Sequence, residues 1–187
     1  MTLSDAIASL EGKFNILRKT EFRGETTLTI ERADILPACQ HARSLGFDTL
    51  VDVSSVDNFG EEPRFEMVYE LYSLDDNHHL RLKASVSEDE LEVASVVPVW
   101  STANWHEREV YDMMGIKFTN HPDLRRILMW EGYPYFPLRK DFPLAGRPSE
   151  MPDVAFTKVA PLEGGPFVTV PGSAPSKDRE PRSRRVE

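Results

Sequence analysis

The sequence predicts an α+β fold: a mixed β-sheet with helices packed on one face, followed by an extended, proline-rich C-terminal segment. Three observations predict it. Ile35, Ala38, Cys39, Ala42 and Leu45 recur at helical spacing between Asp34 and Gly46, the residue types that open and close a helix. Phe65, Met67, Tyr69 and Leu71 alternate with Arg64, Glu66, Val68 and Glu70, the period of a strand with one buried face. Residues 122–171 hold nine of the 14 prolines, a density that prevents regular helix and central strand alike.

The elements follow in order. A short helix is expected over 3–10, and a strand pair over 14–18 and 26–30. After the helix at 35–45 come strands at 49–56, 64–74 and 79–86, separated by Asp57-Asn58-Phe59-Gly60 and Asp75-Asp76-Asn77, residues that tolerate tight turns. A last helix is expected from about Ser101, after Pro98, to Met114, stopped by Gly115. That order implies helices gathered on one face of a sheet. The chain divides into a core domain at 1–120, an extended docking segment at 121–171 and a tail at 172–187 expected to be disordered. The docking segment carries Trp130, Tyr133, Tyr135, Phe136 and Phe142, and aromatic side chains on an extended chain need a surface to lie on.

Composition narrows the function. At 187 residues and 40% hydrophobic content, the chain has material for one packed core. A net charge of −9 opposes nucleic-acid binding, which requires clustered cations to neutralise phosphates. The single Cys39 cannot form an internal disulfide, nor can it alone hold an iron–sulfur cluster or a cysteine-rich zinc site. The N-terminus lacks the basic start and apolar run of a signal peptide, and no apolar stretch approaches the ~18 residues of a membrane span. There is no Gly-x-Gly-x-x-Gly, Walker-type loop or Cys-x-x-Cys, so nucleotide, flavin and cluster binding lack their usual means.

The densest motif is His106-Glu107-Arg108-Glu109-Val110-Tyr111-Asp112-Met113-Met114-Gly115. A zinc hydrolase needs a second His four residues after the first on its helix; Val110 stands there. Glu109 and Asp112 share a helix face and suggest a carboxylate pair, with Arg108 as a nearby ion-pair partner. Glu107 falls on the apolar stripe of Ala103, Val110 and Met114, and a carboxylate facing a core needs compensation. Arg125, Arg126 and Arg139 are its candidate cations, which would fasten the C-terminal segment to the helix. His121 and Asp123 resemble a catalytic dyad, but no Ser or Cys occupies a strand-to-helix elbow, and a short turn is the simpler reading. His78-His79 reads as a solvated turn. Residues 121–147 hold five basic residues against three acidic, a net of +2, either a solvated face or a docking strip.

Glu107-Arg108-Glu109, Asp112-Met113-Met114, His121, Arg125 and Ile127-Leu128, followed by Pro137-Leu138-Arg139-Lys140-Asp141-Phe142-Pro143-Leu144, resemble the signature of the 30-kDa subunit family of NADH:quinone oxidoreductase, respiratory complex I, whose bacterial members are lettered C. The resemblance covers about 107–144. It implies a peripheral-arm subunit of a proton-translocating complex, with no cofactor on this chain; NAD, FMN, iron–sulfur clusters and quinone would be bound by other subunits. It also implies packing on the quinone-site subunit, lettered D, then on the iron–sulfur subunits lettered B and I, and a peripheral place on the cytoplasmic side of the cell inner membrane. Glu107, Arg108, Glu109, Asp112, His121, Arg125, Arg139, Lys140, Asp141 and Phe142 become the expected motif and interface residues, none of them catalytic. Thr119-Asn120 and Tyr135-Phe136-Pro137 depart from the family pattern, the second resembling an insertion that alters the local path of the docking segment. A chain ending at 187 is expected to be separate from the quinone-site subunit and not fused to it. Two other readings remain: the equivalent subunit of a membrane-bound nickel–iron hydrogenase or ferredoxin-dependent oxidoreductase, and a free-standing protein-binding adaptor.

Overall fold

A computed structural model describes residues 2–144. Helix α1 (Leu3–Lys13) starts at a capping box in which Thr2 Oγ1 accepts the Asp5 amide and the Asp5 carboxylate accepts the Thr2 amide, satisfying donors that a helix start leaves open. Strands β1 (Ile16–Phe22) and β2 (Glu25–Ile30) form an antiparallel hairpin. A 3-10 turn at Arg32–Asp34 leads into α2 (Ile35–Ser44). Its Pro37 sits in the first turn, where a missing amide costs no helical bond. Three antiparallel neighbours follow: β3 (Thr49–Asp57), β4 (Phe65–Ser73) and β5 (His78–Val86). After β6 (Glu92–Ala94) come α3 (Ala103–Met114) and β7 (Lys117–Thr119).

The main sheet has the order β1-β2-β5-β4-β3, closed by a parallel β2–β5 junction that pairs Thr27 with Arg81. One face is apolar: Leu28, Ile30, Phe65, Met67, Tyr69, Leu71, Leu80, Leu82, Ala84 and Val86 are fully or nearly fully buried in a core shared with residues of all three helices. The opposite face is a ladder of cross-strand charges. Arg81 bonds Glu70 and, at 2.9 Å, Glu25, while Lys83 bonds Glu66 at 2.6 Å. Such half-exposed pairs add little stability individually, but they keep this face wetted, as expected for an antiparallel-rich sheet with one covered side.

The predicted elements are present with shifted ends. The last helix begins at Ala103, because 96–102 form tight turns, with Val99 N–H donating to Val96 O and Ala103 N–H to Trp100 O. The short parallel pair β6–β7 was not expected from the sequence: three-residue strands are too short to show a period. Residues 121–144 carry neither helix nor strand and run in successive turns. Residues 145–171 of the predicted docking segment, and the tail at 172–187, lie outside the described residues.

Candidate functional site

The polar residues of the densest motif are gathered on α3, and two of them, Arg108 and Asp112, hold the 121–144 strap against the domain. Asp112 is fully buried, and its Oδ2 accepts three consecutive backbone amides, those of Ile127 (3.0 Å), Leu128 (2.7 Å) and Met129 (2.8 Å). Its Oδ1 pairs with Arg126, which also donates to the carbonyl oxygens of Asp112 at 3.0 Å and Tyr135 at 3.3 Å. The Arg126 guanidinium lies over the rings of Tyr133 and Phe136. A buried carboxylate with four charge-assisted partners is fully compensated. Arg108 complements it by donating to the carbonyl oxygens of Arg125 (3.2 Å) and Arg126 (3.4 Å) beneath the Trp105 ring. One helix face thus grips both the donors and the acceptors of one turn.

Two further anchors hold the later part of the strap. Leu138 N–H donates to Met113 O at 3.2 Å and Arg139 Nε to Met114 O at 2.6 Å. These carbonyls sit in the last turn of α3, where helices leave acceptors unsatisfied. The Arg139 guanidinium lies 5.3 Å from the Phe65 ring centroid and 4.6 Å from that of Phe136, and burial lowers its pKa from the usual arginine value. Gly115 makes room for this contact. Its φ is +80°, and a Cβ there would lie 2.6 Å from an Arg139 nitrogen and 2.8 Å from the Phe136 ring.

The third anchor is Arg64, with only 4% of its side chain exposed. It donates to both oxygens of Asp57 (2.8 and 2.9 Å), to Glu88 (2.7 Å) and to Asp141 (2.8 Å). Asp57 also accepts the Lys140 amide at 2.7 Å. The Arg64 hydrogen bonds, helped by that amide, hold the Asp57 carboxyl below its ordinary range despite burial. Phe142 packs its ring against Tyr135 at 6.0 Å.

The predicted site residues are therefore largely brought together, in partnerships that differ from those expected. Glu109 points outward and is exposed while Asp112 is buried, so the two form no carboxylate pair. Arg108 serves carbonyls, and the cation of Asp112 is Arg126. The cation expected for Glu107 is absent among the described residues: Arg125 pairs with Asp123, Arg126 with Asp112, and Arg139 bonds Met114 O. Glu107 is instead fully buried, accepting Ser95 Oγ and Val96 N–H at 2.7 Å each, and burial pushes its carboxyl up to about 7. Neutral donors stand where the arginines were expected because each arginine is engaged elsewhere. His121 and Asp123 form the simple turn, with the Asp123 amide donating to His121 Nδ1 at 3.0 Å. Arg125 and Lys140 are exposed. Sequence reasoning missed Asp57 and Arg64; their opposite charges bracket a hairpin turn, which is the signal that could have found them.

An open groove of about 830 Å³ between the 88–94 segment and Phe136 and Arg139 mixes Arg32 and Lys117 with Glu88, Asp89, Glu90 and Glu92. It assembles no nucleophile–base pair. Among the described residues no group of three or more His, Cys, Asp or Glu is placed to hold a metal ion, and no helix is long and apolar enough to cross a membrane. Several large apolar side chains remain exposed, among them Trp105, Leu128 and Leu138.

The chain is similar to the NADH-quinone oxidoreductase subunit lettered C in Geotalea uraniireducens, 48% identical over 144 residues that cover 75% of this chain and 88% of that protein. The same subunit in Geobacter metallireducens is 50% identical over 145 residues, covering 75% of this chain and 90% of that one. Among solved structures, a trypsin-resistant fragment of Nqo5, residues 1–134, superposes with a TM-score of 0.59 at 30% identity, covering 66% of this chain and all of the fragment. One polypeptide of an archaeal membrane-bound sulfane sulfur reductase shares the fold, with a TM-score of 0.67 at 18% identity over 75% of this chain and 85% of that polypeptide. Residues 28–148 match the profile described as respiratory-chain NADH dehydrogenase, 30 Kd subunit, a span that begins in β2 and takes in the α3 grip and its strap, and the chain belongs to that family.

Proposed function

We propose that this chain is a bracing subunit in the peripheral arm of a proton-translocating NADH:quinone oxidoreductase, carrying no cofactor and holding the quinone-site and iron–sulfur subunits in register. The quinone-site subunit, lettered D, is its chief partner, followed by those lettered B and I, and the complex holds it at the cytoplasmic side of the membrane. NAD, FMN, clusters and quinone belong to the other subunits. The observation that carries this reading is the use of the motif. Arg108, Asp112 and Arg139 are engaged in fastening a strap to the domain, which suits a rigid spacer, while Trp105, Leu128 and Leu138 stay exposed for a neighbour to cover. The one cysteine, Cys39, is buried and its thiol pKa is raised by burial, so it is poorly suited to ligate a metal.

Affinity capture of the tagged chain from mildly solubilised membranes, with mass spectrometry of what accompanies it, tests the proposal. Recovery of a multi-subunit set carrying flavin and iron–sulfur clusters is expected, together with loss of NADH-dependent quinone reduction when the chain is deleted. Nickel in place of flavin would point to the hydrogenase-type assembly. Recovery of the chain with a single soluble partner, and unchanged quinone reduction on deletion, would support an adaptor and sink the proposal.

A further inference from the structure

Glu107 has no exposed surface and no arginine or lysine partner among the described residues. Its hydrogen bonds come from two neutral donors, the Ser95 hydroxyl and the Val96 amide, both at 2.7 Å in the loop between β6 and α3. The groups facing it from each packed element supply no compensating charge. From α2 comes the Cys39 thiol, and from β4 the Tyr69 hydroxyl, which is fully buried with no hydrogen-bond partner among the described residues. From the turn after β7 comes His121, whose Nε2 is 3.9 Å from Glu107 Oε2. That ring is held neutral: Nδ1 accepts the Asp123 amide at 3.0 Å, so the ring proton sits on Nε2 and points to the carbonyl of Asn104 at 3.3 Å. Burial, the largest influence, together with the nearby Arg108 charge, lowers the His121 pKa. Arg108, on α3 itself, is committed to the carbonyls of Arg125 and Arg126.

A carboxylate in such surroundings is strongly disfavoured relative to the neutral acid. We propose that Glu107 is a proton-binding site of the folded chain, a neutral carboxylic acid that latches the 95–97 loop to α3, and that release of its proton to solvent loosens this latch. In the neutral form the carbonyl oxygen accepts Val96 N–H and the acid O–H donates to Ser95 Oγ, which also accepts Val97 N–H at 3.2 Å. On ionisation the same pocket must hold a bare charge. The loop it secures is joined to β7 through Ser95 N–H, which donates to Thr119 O at 3.0 Å, so loosening reaches the β6–β7 pair.

The linkage has a definite sign. The carboxyl is pushed up in the folded chain from 4.5 to about 7, so its stabilising effect is complete below about pH 4.5 and is lost as pH rises through about 7. The full chain is labelled with isotopic glutamate, and its carboxyl resonances are titrated by NMR. One resonance close in space to the Val96 amide is expected to titrate near neutrality. The unfolding constant should rise on the order of a hundredfold between about pH 5 and pH 8. Glu107→Gln, which keeps the acid's shape and offers an N–H donor in place of its O–H, should remove that rise and keep most of the wild-type stability at the acid end. A Val96-proximal carboxyl that titrates at ordinary glutamate pH would overturn the proposal without requiring any variant to fold. So would a Glu107→Gln chain with the wild-type pH slope.

Discussion

Asp112 Oδ2 and the amide of Leu128 meet at 2.7 Å, and the same oxygen accepts the amides on either side. One helical carboxylate thereby organises a turn 16 residues away that has no helix or strand of its own. Asp112→Ala would leave those amides unpaired and take the counter-ion from Arg126, which keeps only its carbonyl acceptors, and removing one partner of such a pair costs about 3–5 kcal/mol. Urea denaturation is expected to show that loss. Trypsin cleavage after Arg125 and Arg126 should accelerate by more than global destabilisation explains, because the turn is released before the sheet unfolds. Unchanged cleavage would mean that other contacts hold the turn.

Gly115 is required twice, by its left-handed backbone and by the close approach of Phe136 and Arg139. A residue with a Cβ costs about 1–2 kcal/mol for the conformation alone. Gly115→Ala should exceed that in thermal melts, because Arg139 is pinned at Met114 O and cannot swing clear. Part of the excess should vanish in a Phe136→Ala background. Strict additivity of the two substitutions would show that the contact exerts no pressure.

Hydrogen bonding to Arg64 holds Asp57 below its ordinary 3.8, and Asp141 is lowered too by the same arginine against the opposing effect of burial. Both groups bind protons less readily folded than unfolded. Their stabilisation is therefore present above about pH 3.8 and is lost as pH falls through the lower folded values. Melting temperature should drop steeply on that acid limb, and Asp57→Asn should flatten the drop while lowering stability at neutral pH. An acid limb unchanged by the substitution would place the acid sensitivity elsewhere.

The fold was legible wherever information is local. The stripe of Ile35, Ala38, Cys39 and Ala42 and the alternation from Phe65 to Leu71 each state one element's buried face, and Gly46 and Gly115 mark ends through positive φ. The site was legible in membership and obscure in pairing. Arg125, Arg126 and Arg139 all read as partners for Glu107, and none serves it, because the turns at 121–139 bring them to Asp123, Asp112 and Met114 O instead. Arg64 and Asp141 are 77 residues apart, and no pattern along the chain joins them. The buried phase of Glu107 was visible, while its neutral donors were not, since a loop amide and a serine carry no spacing signal.

The parallel junction of β2 with β5, pairing Thr27 with Arg81, dictates an order of folding. The β1–β2 hairpin and the β3–β4–β5 meander each close through near neighbours, whereas their union must close a loop of roughly 50 residues, and such non-local contacts form late. Leu80→Ala, in the meander, should therefore slow folding. Leu28→Ala, at the junction, should chiefly hasten unfolding. Refolding and unfolding kinetics of the two variants are thus expected to show the seam in the middle of the sheet as the last part of it to be made and the first to open.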